Sequence, residues 1–450
     1  MKILIAGFGA VGEHLALELS REGYDLTILD SDPHVLESGL NRFDVMSLQG
    51  NCASVKSLME AGIESSDLLI ACTGMDELNL LTCMMAKTLN PKIHTIARLH
   101  SPEYMEQAYE MRDKFGISMT FSAERDAARE MERIIKHPGF LSRETFMGGR
   151  AEVAELRVDE HSPMCDVPLR SLDGILKCRV LICAVLRDGE TMIPDGNFIL
   201  RENDRIFVTA STDNLGVMLK NLGIMTKRAR RVLIAGGGTM SYYLARNLRN
   251  SDVMIIERDE SRCKELNELL PRVTVVNGSV RDQNFLESEG ISSCDALVSL
   301  TEIDELNVIT SLLGSEHKIP LIITRIGQLE NTGFIAKLPL GSVISPRKFS
   351  CNSVVRYVRA MRNHDGAARA VHMIAEGRAE AIEFEVDEET QNRDMPLKEI
   401  RLKRDIRLAC IARGKEIIIP NGDSMLRTGD RVIVVVNGDA TILNLNDIFA

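Results

Sequence analysis

The chain has no tryptophan, and aromatic residues make up only 4% of it. Little is therefore available for stacking on nucleobases. Positive charge is also in deficit, the formal net charge being −11. A nucleic-acid groove and general attraction to anionic lipid both call for positive fields, so neither nucleic acid nor a bare lipid surface is an expected partner. Long apolar runs are missing: the longest, Val180 to Leu186, falls far short of the ~20 residues that span a bilayer. Met1 and Lys2 lead directly into an apolar strand with no signal-peptide pattern, which predicts a soluble, cytoplasmic protein. The ten cysteines include no C-x-x-C pair. Cys72, Cys183 and Cys410 lie within apolar stretches and read as reduced core residues. The nine histidines form no H-E-x-x-H and no spacing that joins cysteine in a zinc site, so metal binding has no support. Neither a G-x-S-x-G elbow nor a G-x-x-x-x-G-K-S/T loop occurs, which removes the common hydrolase and P-loop readings.

What is present is a 450-residue chain, 44% hydrophobic, too long for one ordinary core. It opens on ILIAGFGAVG, an apolar run from Ile3 to Ala6 followed by glycines at 7, 9 and 12. The run suits a central parallel strand covered on both faces. Gly7 permits the tight turn, Gly9 lets the backbone approach a phosphate, and Gly12 lets the following helix pack closely on the strand. The unpaired amides at that helix N-terminus then face an anion. A second strand, Leu26 to Leu29, ends on Asp30, at the ~20-residue distance where a carboxylate accepts from ribose hydroxyls and repels a 2′-phosphate. Asp30 could instead cap the turn D-S-D-P.

The sequence then repeats itself. Lys2 to Leu19 is matched position by position by Arg231 to Leu248, with Gly236 and Gly238 retained and Ser241 standing where Gly12 stood. Ser241 predicts looser helix packing in the second copy. A second acid, Glu257, follows the strand Val253 to Ile256. The stretch from Gly50 aligns without a gap with that from Gly278, pairing Thr73 with Thr301 and Asp76-Glu77-Leu78-Asn79 with Asp304-Glu305-Leu306-Asn307. The next strands deliver Arg98 and Arg325 to the edge where a doubly wound sheet binds ligands.

Each half continues with a basic, helix-patterned stretch, Ser122 to His137 and Arg347 to Arg362, and then with short strands and turns, 152–211 and 380–437. The expected fold is α/β: two tandem Rossmann-like doubly wound parallel-sheet domains, each followed by a crossover helix and a small α+β lobe. The expected boundaries are 1–121, 122–150 and 151–225 for the first set, and 231–345, 346–378 and 379–450 for the second. The one basic cluster, Lys227, Arg228, Arg230 and Arg231, lies between the halves and reads as a solvated linker rather than a binding patch.

Asp76-Glu77 and Asp304-Glu305 resemble paired carboxylates for acid-base work, but each pair opens a helix, where capping of free amides is the simpler reading. Thr73 faces the nucleotide edge. Arg98 and Arg325 either end strands at the surface or hold phosphate by bidentate contact. A dehydrogenase joins its nucleotide domain to a substrate domain that supplies a proton-transferring group. Here the partner is another copy, and no aligned histidine is kept, His14 meeting Tyr243. A sensor is favoured, with an NAD-dependent oxidoreductase as the alternative and a structural scaffold as the third reading.

G-F-G-x-V-G with its following Asp, the D-x-L-I-A-x-T-x-x-D-E-x-N stretch and the I-P-x-G lobe together resemble the RCK (KTN) regulatory domains of potassium channels and transporters, across essentially the whole chain. The tandem arrangement is similar to the cytosolic regulatory subunits of Trk potassium-uptake systems. The resemblance implies binding of NAD(H), with ATP or ADP as the alternative ligand, through Gly7, Phe8, Gly9, Ala10, Val11, Asp30, Asn51, Cys52, Thr73, Gly74 and Arg98. In the second sheet it implies Gly236, Gly237, Gly238, Thr239, Met240, Glu257, Ser279, Thr301 and Arg325. There Glu302 replaces Gly74, and its carboxylate raises the cost of a bound anion unless Arg325 offsets it. The resemblance further implies a homo-oligomer, a tetrameric ring in which helices after each sheet bridge neighbouring domains, under an integral-membrane Trk-type pore at the inner face of the cell membrane. It implies no enzymatic activity.

Overall fold

The structure is a computed structural model, and it describes all residues except 41–44, 111, 137, 160–161, 225–228, 328–334, 336–337, 362–367, 438–441 and 443. Lys227 and Arg228 of the basic linker lie outside the described residues, as do His137 and Arg362 at the ends of the two helical stretches.

The first sheet contains β1 (Lys2–Ala6), β2 (Asp25–Asp30), β3 (Met46–Gln49), β4 (Leu68–Ala71), β5 (His94–Arg98) and β6 (Met119–Phe121). Its strands are all parallel, in the order β3-β2-β1-β4-β5-β6. Strand β1 is apolar on both faces because helices cover both, and Ile3 to Ala6 are buried. The order reverses between β1 and β4, which places a crevice at the C-terminal ends of those strands. The glycine-turn helix (Ala10–Arg21) starts there, and a second helix (Asp76–Leu89) follows β4.

A first lobe follows. Its sheet, β10-β9-β11-β8-β7, is antiparallel and built from β7 (Ser142–Phe146), β8 (Ala151–Arg157), β9 (Leu181–Arg187), β10 (Glu190–Met192) and β11 (Arg205–Ser211). The second half repeats the plan. A parallel sheet β14-β13-β12-β15-β16-β17 is formed by β12 (Arg231–Ala235), β13 (Asp252–Glu257), β14 (Thr274–Asn277), β15 (Ala296–Ser299), β16 (Leu321–Arg325) and β17 (Ser342–Ile344). An antiparallel lobe β18-β19-β22-β20-β21 is formed by β18 (Ala370–Ile374), β19 (Ala379–Glu385), β20 (Ile406–Arg413), β21 (Glu416–Ile418) and β22 (Arg431–Asn437). The stretches 122–150 and 346–378 thus hold a lobe strand as well as a helix, since β7 pairs with β8 and β18 with β19.

The two halves exchange helices. The first crossover helix (Ala123–Lys136) carries a stripe of Ala127, Ala128, Met131, Ile134 and Ile135. That stripe is buried in one core with Val232, Ile234 and Leu244 of the second half. The second crossover helix (Pro346–Met361) returns Cys351, Val354 and Val358 to the first half, against Ile3, Leu15, Leu19 and Ile28. Both stripes repeat at helical spacing, so each helix must bury one face, and each does so on the opposite domain. The two lobes also share a core, in which Phe146, Val153, Cys183 and Phe207 meet Ala381, Cys410, Ile433 and Val435.

Candidate functional site

At the end of β1 the chain turns at Gly7, with φ +99°. A Cβ there would lie 2.7 Å from the Thr73 nitrogen, so only glycine fits. Gly12 sits in the first turn of the glycine-turn helix, and a Cβ on it would lie 2.1 Å from the Gly7 carbonyl oxygen. This close approach seats the helix directly on the strand end. Gly9 precedes the helix, is exposed, and has no heavy atom within 4 Å of an added Cβ, so its backbone faces open space together with exposed Ala10. Phe8 and Val11 turn inward and are buried in the core beneath.

Asp30 ends β2 beside this turn. Its Oδ2 accepts a 2.6 Å hydrogen bond from the Phe8 amide and its Oδ1 a 2.9 Å bond from the Asp32 amide. The carboxylate therefore both clamps the glycine turn and caps its own local turn. Each carboxylate oxygen has a second lone pair, so Asp30 can accept further hydrogen bonds. Gly50 brings the loop after β3 alongside, its amide donating to the Asp30 carbonyl at 2.8 Å. In that loop Asn51 accepts from the Ala53 amide at 2.9 Å, and Cys52 is buried, its thiol pKa raised mainly by burial.

Across the switch point, Thr73 follows β4 and Arg98 ends β5. Both are organised by Asn79, fully buried one turn into the helix after β4. Its Oδ1 accepts from the Thr73 amide at 2.8 Å and the Thr73 hydroxyl at 2.7 Å, and its Nδ2 donates to the carbonyls of Thr73 at 3.2 Å and Arg98 at 2.9 Å. Gly74 has open space where a Cβ would be. The Arg98 guanidinium lies 4.0 Å from Glu124 of the first crossover helix, and its Nε is a buried donor without a protein partner. A buried cationic donor left over at the mouth of the crevice fits an anionic group.

The second copy keeps this framework. Gly236 turns with φ +105°, Glu257 accepts from Gly237 at 2.6 Å and Asp259 at 2.8 Å, and Asn307 binds Thr301 and the Arg325 carbonyl as Asn79 binds Thr73 and Arg98. Gly238 faces open space, Thr239 and Met240 begin the helix with Met240 in the core, and Ser279 accepts weakly from Arg281 at 3.3 Å. Its differences concern anion binding. Ser241, fully buried, donates its hydroxyl to the Gly236 carbonyl at 2.6 Å, so a bridging hydroxyl takes the place of the Gly12 contact. Arg262 donates to the Gly237 carbonyl at 2.8 Å, and Arg325 spends Nη1 on the Thr301 carbonyl at 2.5 Å. Glu302 is exposed at the site edge.

The capping reading of Asp76 and Asp304 is corrected in part. Both open the first turn of their helices, where their charge opposes the dipole as expected, but the N-cap residues Met75 and Ile303 make no side-chain cap and the aspartates reach to another loop. Asp76 instead accepts from the amides of His100 at 2.9 Å and Ser101 at 2.8 Å and from the His100 ring at 3.1 Å. Asp304 accepts from the Gly327 amide at 2.9 Å. Burial would raise the Asp76 carboxyl, but these hydrogen bonds outweigh it and hold the pKa below its ordinary value. Each aspartate ties the loop after the Arg-bearing strand to the helix after the Thr-bearing one. Asn79 and Asn307 were visible in the repeat as shared residues, but nothing local marked them as organisers of the site.

Two doubly wound sheets, each with a glycine turn, an acid at the second strand end and a small antiparallel lobe, define a tandem nucleotide-fold protein of the RCK type. The TrkA-N domain matches residues 3–122 and 232–346, and the TrkA-C domain matches 153–223 and 381–447. The chain belongs to the TrkA family. It is 32% identical to a Trk system potassium uptake protein TrkA homolog of Archaeoglobus fulgidus over the full length of both chains. It is 30% identical to Trk system potassium uptake protein TrkA of Halomonas elongata, over 100% of this chain and 98% of that one. Among solved structures, the GsuK RCK domain superposes with a TM-score of 0.62 at 17% identity, covering 97% of this chain and 92% of that one. The GsuK channel bound to NAD gives the same TM-score at 16% identity, covering 97% and 76%. These likenesses establish the fold.

Proposed function

We propose that the chain is a nucleotide-sensing regulatory subunit of a Trk-type potassium uptake system. The observation that carries this reading is the duplication of the glycine turn, strand-end acid, threonine and arginine in both sheets, with no aligned histidine kept and with the duplicated Asp76 and Asp304 carboxylates engaged by backbone amides. A site built twice for binding and not for chemistry suits a sensor, so no catalytic residue is assigned. The full-length relatives bear the names of potassium uptake proteins. No helix among the described residues is long and apolar enough to cross a membrane, which suits a subunit that reaches the membrane through a Trk-type pore partner at its inner face.

In the first site the amides around Gly9 and Ala10 would meet the phosphates, Asp30 the ribose hydroxyls and Arg98 the remaining anionic charge. A carboxylate at position 30 selects NAD(H) over its 2′-phosphorylated form, and ATP or ADP carries the same ribose diol. The first site is the stronger, because Glu302 sets a carboxylate at the edge of the second, where Arg325 already spends Nη1 on the Thr301 carbonyl. A nucleotide gates a pore only by binding one shape of the assembly more tightly, and a change from 1:99 to 99:1 needs about 5.5 kcal/mol of difference. A homotetrameric ring divides that requirement among several sites.

Calorimetric titration of the purified chain with NAD, NADH, ATP and ADP tests the reading, and failure of all four to bind refutes it. Purification from membranes with and without nucleotide then identifies the integral-membrane protein that accompanies it.

A further inference from the structure

The helix that begins at the glycine turn of the first site ends at Arg21 and is capped by Glu22. The side chain of Glu22 is only 6% exposed, and it receives two hydrogen bonds from Arg359 on the second crossover helix, at 2.9 Å from Nε and 2.5 Å from Nη2. The same guanidinium reaches Glu380 on β19, at 3.1 Å from Nη2 and 3.5 Å from Nη1. One buried arginine thus joins the first nucleotide domain, the crossover helix of the second half and the second lobe. Glu18 on the first helix faces the same junction and pairs with the exposed Arg21 at 3.5 Å.

The repeat makes the arrangement informative, because the other half lacks it among the described residues. By the spacing of the buried stripes, Lys136 corresponds to Arg359, and it pairs with Glu132 of its own helix. Glu152 corresponds to Glu380, and it is held within its own lobe by Arg143 at 2.6 Å and Thr212 at 2.7 Å. Arg246, near the end of the second glycine-turn helix, bonds Glu106 instead of a lobe residue. Among the described residues, only the first site has its helix tied at the far end to a lobe.

We infer that Arg359 is the coupling residue by which occupancy of the first nucleotide site is transmitted to the second lobe. This rests on the proposed nucleotide site. A ligand at the N-terminus of the helix shifts or stiffens it as a unit, since twelve residues of continuous helix connect the two ends. Arg359 then passes the change to β19 through side chains that cannot separate without stranding buried charge. A purely structural ion cluster would hold the domains together but would not make β19 respond to nucleotide.

Hydrogen exchange of the full chain, with and without NADH or ADP, distinguishes these roles. In the native protein, nucleotide is expected to slow exchange in residues 7–12 and in β19. Two variants are compared: Arg359→Gln, and Glu380→Ala, which leaves Arg359 paired with Glu22 and removes both acceptors on β19. Each is expected to bind nucleotide within about threefold of the native affinity, to keep the response at residues 7–12 and to lose it in β19. Should Arg359→Gln fail to fold, Glu380→Ala decides. A β19 response that persists in Glu380→Ala overturns the inference, as does a native chain that responds at residues 7–12 but not in β19. No response at residues 7–12 overturns the site reading itself, and the inference with it.

Discussion

The Phe8 amide donates to Asp30 Oδ2 at 2.6 Å, and the Gly237 amide makes the same 2.6 Å bond to Glu257 Oε2. Both acids therefore brace the glycine turn from the end of the neighbouring strand, whatever else they bind. Their two duties can be separated by substitution. Asp30→Ala is expected to lose both the brace and the ribose acceptors, lowering Tm and weakening nucleotide binding at least tenfold, about 1.4 kcal/mol. Asp30→Asn keeps an oxygen that can accept from Phe8, so its Tm is expected to lie near the native value. Its affinity still falls, because the amide nitrogen offers a donor where a hydroxyl needs an acceptor. Thermal unfolding and calorimetry on the two variants check both statements, and equal affinities for native and Asp30→Ala refute the ribose assignment.

Gly12 and Ser241 occupy equivalent places and predict unequal tolerance. An added Cβ at Gly12 meets a backbone oxygen at 2.1 Å, and backbone cannot swing aside as a side chain can. Gly12→Ala is expected to cost on the order of 1–3 kcal/mol by overpacking and to abolish nucleotide binding at the first site by displacing the turn. Ser241→Ala removes only the 2.6 Å hydroxyl bond to Gly236, a loss of about 1 kcal/mol, and leaves the first site untouched.

The features legible in the sequence were those written locally or twice. Positive φ at Gly7 and Gly236, the apolar central strands and the acids at strand ends follow from short patterns with steric causes, and the doubled texture exposed the domain order. The exchange of crossover helices was not legible from the pattern itself. The Ala127, Met131 and Ile134 stripe states that one face is buried but not against which domain, and the structure places it on Val232 and Leu244 of the other half. The hydrogen-bond partners of Asp76 are hidden for a related reason. An acid opening a helix is ordinarily a cap, yet its acceptors are used by amides of His100 and Ser101, over twenty residues away in the chain and adjacent only in space.

Asn79 illustrates the same point and carries a test. It is fully buried and makes four hydrogen bonds that hold the ends of β4 and β5 together. Asn79→Ala strands the Thr73 amide and the Arg98 carbonyl, and the cost is expected at about 2–4 kcal/mol. Asn307→Ala is expected to destabilise comparably. Only the Asn79 variant should lose nucleotide binding at the first site, since only it frees Thr73 and Arg98. Calorimetry on both, below their unfolding temperatures, distinguishes a local effect from general loss of fold.

Glu130 makes stability depend on pH. It is 2% exposed on the first crossover helix, with Arg133 Nη1 at 3.3 Å and the Arg143 amide at 3.5 Å. Burial first, and then the charge of Glu144, push its carboxyl from the ordinary 4.5 up to about 8. Glu144 in turn faces His372 of the second lobe, Nδ1 lying 2.5 Å from its Oε2, so the site joins the helix to both lobes. Between about pH 4.5 and 8 the folded chain holds a proton on Glu130 that the unfolded chain has released. Its contribution to stability is therefore full below the lower value and is lost as pH rises through the upper one. Glu130→Gln, which has no proton to lose, is expected to match the native Tm near pH 5 and to exceed it by a few degrees at pH 9. Asp76 acts in the opposite sense only in acid, because its lowered pKa stabilises the fold above the ordinary carboxylate range and that stability is lost below it. The difference in Tm between native and variant from pH 5 to 9 therefore reports Glu130, and parallel curves for the two would show that the carboxyl is already ionised at neutral pH.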